Sequence, residues 1–227
     1  MSRDDGYGFA AGLPVEPIAP GSTVLVAGPA LSRAEDLALS MAVDGNAAGE
    51  ASLFISTNMT CKTLLGTCER THPDFDGERA AVIDCSGQDL GQAQFEAQVR
   101  SVSTQSDLTG IGMKASALYE SLYTSATEGR VRSSLVSLSS LSMYVDLRSL
   151  YQFAQTLSGR IDSADGLGVF AIDPTTHDTQ TVNTLSQVAD GRVDVREADG
   201  EGDGELRVRG LRDQPDGWQP FVVGAAD

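Results

Sequence analysis

The chain has 227 residues and 41% hydrophobic residues, enough to build one sizeable core and too many for wholesale disorder. Sixteen Lys and Arg against 32 Asp and Glu give a net charge of −16, which disfavours nucleic acid as a partner, since phosphate binding needs a basic footprint. No stretch approaches the roughly 20 apolar residues of a membrane span, so no membrane partner is expected.

The opening, MSRDDGYGFAAGLPVEP, has no basic start and no apolar run, so it does not read as a signal peptide, and a cytoplasmic location is expected. Residues 1–20 carry Gly6, Gly8, Gly12, Pro14, Pro17 and Pro20 with little periodicity. They read as an extended lead-in, draped on the surface and burying few large side chains, ahead of one domain over residues 21–227. Residues 23–27 (TVLVA), bounded by Gly21 and Gly28-Pro29, form an apolar β-branched run of the kind found in fully buried parallel strands. A helix over 34–43 follows and stops at Asp44-Gly45-Asn46. Residues 52–56 give a second buried strand, and 60–68 a helix with Leu64, Leu65 and Cys68 inward.

A third strand is expected at 80–85 (AAVIDC), and the polar stretch 87–106 admits a short helix over 92–99. Helical spacing is clear over 113–127, with Gly129 ending it. Residues 134–138 make a fourth strand, less hydrophobic than the others. A strongly amphipathic helix over 146–161 leads to a fifth strand at 167–172 (LGVFAI), which ends in Asp173-Pro174; a helix over 177–189 follows. After Gly191 the period changes: 192–196 and 205–211 alternate around a turn-rich gap, and 218–223 gives a last short strand. Antiparallel strands joined by hairpins fit that tail. Five βα units before it imply an α/β fold with a mainly parallel sheet covered on both faces.

The basic residues are 14 Arg and only Lys62 and Lys114, while 21 of the acids are Asp. Short hydrated carboxylates are preferred and lysine's apolar stem is avoided, as on a surface that must stay soluble in concentrated salt, which also screens self-repulsion. The three cysteines, Cys61, Cys68 and Cys85, are an odd number and read as reduced thiols. Cys61 and Cys68 lie on one helical face, but only His72 is near enough in sequence to add a ligand, so no metal is expected.

In an open parallel sheet, ligands bind beyond the carboxyl ends of the strands. The first such turn here is Gly28-Pro29-Ala30-Leu31-Ser32-Arg33-Ala34-Glu35. It has the frame and length of a phosphate-binding loop, G-x-x-x-x-G-K-[ST], whose glycines let backbone N–H groups curl round phosphates while the Lys reaches the outer oxygens and the hydroxyl holds magnesium. Gly28 matches the first glycine. Arg33 stands at the second glycine, Ala34 at the Lys and Glu35 at the Ser or Thr. A carboxylate in the first helical turn repels the phosphate that the helix dipole would attract.

Taken together, GSTVLVAGP, SLFISTN, AAVIDC, DLTGIGMKASALYE, VRSSLVSLSSLSMYVD, LGVFAIDPTTHD and the closing ADGRVDVRE…GELRVRGLRD…WQPFVV resemble, in order and spacing, the RecA/KaiC-like ATPase family, most of all its short haloarchaeal members. The resemblance runs from Gly21 to Val223 and implies a RecA-like P-loop NTPase fold with a C-terminal β-hairpin region. It also implies that the family's catalytic carboxylate falls in Ser56-Thr57-Asn58-Met59, at Asn58, where no acid stands. The magnesium-organising Asp falls at Val136, in Leu135-Val136-Ser137-Leu138. Lys, Ser/Thr, Glu and Asp are thus missing together. Asp173 remains, and a lone carboxylate there caps a helix as readily as it does chemistry. The expectation is a protein without catalytic residues or cofactor, acting through another protein or a second copy of itself. The competing reading is ATP held without turnover, with Arg33 in place of the missing Lys.

Overall fold

The computed structural model describes residues 6–10, 12–88 and 94–224. Its centre is one nine-stranded sheet in the order β4-β3-β2-β5-β6-β1-β7-β8-β9. The strands are β1 (Thr23–Ala27), β2 (Ala51–Ser56), β3 (Ala80–Asp84), β4 (Gln98–Ser101), β5 (Val131–Leu135), β6 (Leu167–Ile172), β7 (Gly191–Arg196), β8 (Gly204–Arg209) and β9 (Gln219–Phe221). From β4 across to β7 every pairing is parallel, while β8 and β9 add on antiparallel. The helices are α1 (Ala34–Val43), α2 (Cys61–Thr71), α3 (Leu108–Ser125), the single turn α4 (Leu138–Ser142), α5 (Leu147–Ser163) and α6 (Thr179–Ser186).

Alternation along the central strands divides the core. Leu25 and Ala27 of β1 face the layer of α3, α5 and α6, while Val24 and Val26 face α1. All five residues of β1 and all six of β2 and β6 are buried, which is why these segments read as continuous apolar runs rather than alternating ones. Side-chain caps start α2, α3, α5 and α6: Thr60 accepts from Thr63 N–H, Asp107 from Gly110 N–H, Asp146 from Ser149 N–H and Asp178 from Thr181 N–H.

Five expectations are corrected. The α3 helix begins five residues before the expected start, at the Asp107 cap, and α6 begins only after Asp178 and is shorter than 177–189. Gln98–Ser101 is strand β4, not part of a helix; the rest of the expected helix falls partly on residues 92 and 93, outside the described ones. The fourth strand runs Val131–Leu135, so Ser137 and Leu138 belong to the cap and first turn of α4. Its start was hidden because Arg132 looks like a surface residue, yet its side chain is 2% exposed.

What buries Arg132 corrects the fifth expectation, that residues 1–20 drape loosely and bury little. Tyr7, Leu13, Val15 and Ile18 are buried against α1, β6 and β7. Tyr7 and Ile18 exchange two backbone hydrogen bonds. Arg132 donates to Gly8 O at 2.7 Å, to Met41 O at 2.9 Å and to Glu50 Oε2 at 2.5 Å. Arg130 donates to Gly6 O at 3.1 Å and to Glu50 Oε1 at 2.7 Å, and its guanidinium lies 4.0 Å from the Tyr7 ring centre. Tyr7 in turn donates its hydroxyl to Asp165 O at 2.9 Å. The segment is a strap clamped by two arginines that share one carboxylate, and its short polar and Gly/Pro sequence gave no periodicity to reveal it.

Candidate functional site

The carboxyl ends of β1, β2, β5 and β6 converge, and each contributes a loop. After β1 the chain passes Gly28-Pro29, makes a tight turn over Ala30–Ser32 and enters α1 through Arg33, which adopts the left-handed region at φ 62°. This turn is filled from within. Ser32 is fully buried, and both its Oγ (2.7 Å) and its N–H (2.9 Å) donate to Pro29 O. A Cβ at Gly28 would stand 2.4 Å from Ser32 Oγ and 2.9 Å from the Cβ atoms of Ala34 and Val195. Gly28 therefore serves close packing of the loop against β7. Ala34 is buried, whereas Leu31 projects outward at 79% exposed.

Arg33 does not reach into the cleft unopposed. Its guanidinium pairs with Asp36 at 2.9 Å and lies 3.9 Å from Asp203, on the connection between β7 and β8. Glu35 turns the other way and spans two loops: Asn58, following β2, donates Nδ2 to both of its carboxylate oxygens at 2.9 and 2.8 Å. Burial pushes the Glu35 carboxyl above its ordinary range; hydrogen bonds from Asn58 and Ser137 oppose this, and the charges of Asp36 and Asp173 add to it.

Val136 follows β5 directly and is buried in the apolar cluster of α1 and α2, so it offers no polar atom to the cleft. Asp173 follows β6 and caps the turn Pro174–Thr176, accepting from Thr175 N–H at 2.8 Å and Thr175 Oγ1 at 2.6 Å. The structure thus brings Arg33, Glu35, Asn58 and Asp173 to one edge and turns Val136 away. The hydroxyls that knit this edge were not singled out in the sequence. Thr57 Oγ1 donates to Ser137 O at 2.8 Å and accepts Ser137 N–H at 3.1 Å. Ser139 Oγ accepts from Asp173 N–H at 3.0 Å and sits 2.9 Å from His177 Nε2. Their signal is the serine-rich run SLSSLS directly after a buried strand, where such residues cap turns.

Chemically the edge offers a paired arginine, a carboxyl bonded to an amide and a capping aspartate. Among the described residues no group of three His, Cys, Asp or Glu is placed to hold a metal ion. The thiols lie elsewhere and are buried; burial pushes Cys61 to about 11 and Cys68 and Cys85 to about 12, so they stay protonated and are poor nucleophiles. His72 bonds Ser40 at 3.1 Å, Asp44 at 3.3 Å and Thr71 at 2.9 Å rather than a cysteine. Among the described residues no helix is long and apolar enough to cross a membrane.

Residues 21–195 match the family of unknown function DUF7504. The chain belongs to that family. Among solved structures, this DUF7504 chain is similar to the KaiC-like protein PH0186 from the hyperthermophilic archaeon Pyrococcus horikoshii OT3, with a TM-score of 0.65 and 13% identity over 99% of this chain and 100% of the other. It is also similar to the flagellar accessory protein FlaH from Methanocaldococcus jannaschii, with a TM-score of 0.56 and 13% identity over 86% of this chain and 80% of the other. No curated protein matches the sequence. The likeness establishes a RecA-like fold, with a mostly parallel sheet, flanking helices and an antiparallel C-terminal hairpin.

Proposed function

We propose that this DUF7504 chain is a catalytically inactive RecA/KaiC-like domain that works as a regulatory or scaffolding module by binding another protein, in a cell with a concentrated-salt interior. The observation that carries the reading is the bond between Glu35 and Asn58, at 2.8 and 2.9 Å, across a loop already filled by Ser32. In a working phosphate loop, backbone N–H groups face an open cradle, and a cation and a magnesium ion offset the phosphate charge. Here the cradle holds a side chain and the helix start carries a carboxyl group, so the fold persists while the chemistry it supports elsewhere has no residues to perform it.

The test is calorimetric titration with ATP and magnesium in molar KCl, paired with a phosphate-release assay. We expect neither binding heat nor release above background; turnover that disappears on Arg33→Ala would falsify the reading. Holding ATP without turnover is the second reading, and it requires Arg33 to leave Asp36 and Asp203; saturable binding heat without phosphate release would select it. The partner surface in this proposal is the exposed Leu31 with its neighbour Arg33. Leu31→Ser combined with Arg33→Ala should leave the melting temperature unchanged and abolish recovery of the protein that wild type captures from the source cytosol.

A further inference from the structure

A second concavity lies between α3 and α5, on the opposite face of the sheet from α1. Its outer part is a groove of about 400 Å³, lined among others by Leu108, Gly112, Met113 and Phe153. Its inner part is a pocket of about 40 Å³, reaching the sheet at Leu53, Ile55, Ser133 and Phe170. Leu157 and Arg160 line both parts, so the two adjoin at these side chains.

Two buried hydroxyls in this cleft lack a partner, and two exposed groups stand at its rim. Ser133 Oγ and Tyr119 OH line the inner pocket, are buried, and have no hydrogen-bond partner among the described residues, in a surrounding that is otherwise almost wholly apolar. Buried hydroxyls are rarely left unpaired, because desolvation without a replacement bond is costly. At the rim, Arg160 donates to Gly112 O at 3.2 Å, across the gap from α5 to α3, and makes no ion pair among the described residues despite the excess of acids in the chain. Met113, at the groove, is 70% exposed. An apolar cleft with a few convergent polar groups is the usual form of a small-molecule site.

The geometry points to a binding site for a small amphiphilic anion between α3 and α5. Its apolar body lies along Leu157 and Phe153, its carboxylate pairs with the free guanidinium edge of Arg160, and a hydroxyl at its far end pairs with Ser133 and Tyr119. The inner pocket has room for a hydroxyl-bearing end but not for a whole ligand, since about 40 Å³ accommodates only a few water-sized groups. This site is separate from the carboxyl edge of the sheet, and its failure leaves the reading of that edge untouched.

Three probes with nearly the same body separate the contributions: phloretate carries hydroxyl and carboxylate, hydrocinnamate lacks the hydroxyl, and tyramine carries an ammonium instead of the carboxylate. Binding to the full chain is measured by titration calorimetry and by saturation-transfer NMR in high-salt buffer. Phloretate should bind more tightly than hydrocinnamate, and tyramine most weakly. Arg160→Gln, an exposed change that leaves the fold intact, should weaken both carboxylates about tenfold, the loss expected for a charge-assisted pair. Ser133→Ala should erase the advantage of phloretate over hydrocinnamate while leaving hydrocinnamate unchanged. If none of the probes binds at millimolar concentration, the cleft holds water alone and the inference is overturned. Binding that ignores Arg160→Gln, or tyramine binding as well as phloretate, overturns it equally.

Discussion

Gly28 shows how one residue can keep its identity while its role changes. Its would-be Cβ meets Ser32, Ala34 and Val195 at 2.4 to 2.9 Å, and two of these are side-chain carbons with no freedom to swing away. Gly28→Ala should therefore destabilise the fold by about 1–3 kcal/mol, the usual cost of overpacking, in urea unfolding. It should do so with no ligand present, whereas a glycine kept only for phosphate access would tolerate the change. Glu35 gives a pH signature at the same edge. Its folded-state carboxyl is raised above the ordinary value of 4.5, chiefly by burial, so the folded protein holds a proton that the unfolded chain releases. That contribution is present below the ordinary value and is lost as pH rises through the folded one. Glu35→Gln keeps an acceptor for Asn58 and removes the titration. The melting temperature of the variant should gain on wild type as pH rises above the ordinary carboxyl value of 4.5; a constant difference between the two would sink the assignment.

Among the elements, the N-terminal strap carries the sharpest prediction. Deleting residues 1–18 uncovers the apolar surface under Tyr7, Leu13, Val15 and Ile18 and leaves Arg130 and Arg132 without the carbonyls of Gly6 and Gly8. The truncated chain should melt far below wild type or fail to fold. The single change Tyr7→Ala should cost about 3–5 kcal/mol, as for other fully buried aromatics; an unaltered melting curve would show that the strap is dispensable. The sequence could not display this element, because its partners are chain-distant: Tyr7 meets Arg130, Arg132 and Asp165. The central strands were legible for the converse reason. A strand buried on both faces writes its burial into consecutive residues, as TVLVA and LGVFAI do. Strand β4 was not legible, since Gln98–Ser101 is polar and lies at the sheet edge. At the site, the substituted positions Arg33, Ala34, Glu35 and Asn58 were legible by their place in a frame. The mutual bond of Glu35 and Asn58 was not, since 23 residues separate them.

For the molecule as a whole, the net charge of −16 sets the dominant dependence on solvent. Ion pairs such as those of Asp194 with Arg192, Arg207 and Arg209 use up part of the arginine, leaving carboxylates in excess on the remaining surface. Raising salt from 0.1 M to 1 M shortens the screening length from about 10 Å to about 3 Å, which removes repulsion between surface carboxylates. Melting curves followed by circular dichroism should shift upward with KCl across that range. A melting temperature that is flat or higher in dilute buffer would remove the basis for placing the protein in a salt-rich cell.

The strap also has a consequence for how the molecule is made. Several of its partners lie far along the sequence: Tyr7 donates to Asp165 O, and the Glu16 backbone meets the side-chain amide of Gln214 at 3.0 and 3.1 Å. Val222, near the other end, donates its N–H to Gly12 O at 3.0 Å. The strap thus closes over strands drawn from far along the described chain, and its full docking depends on the sheet being assembled. Such distant closure slows folding, and it makes the docking of the strap a report that the sheet beneath it is complete.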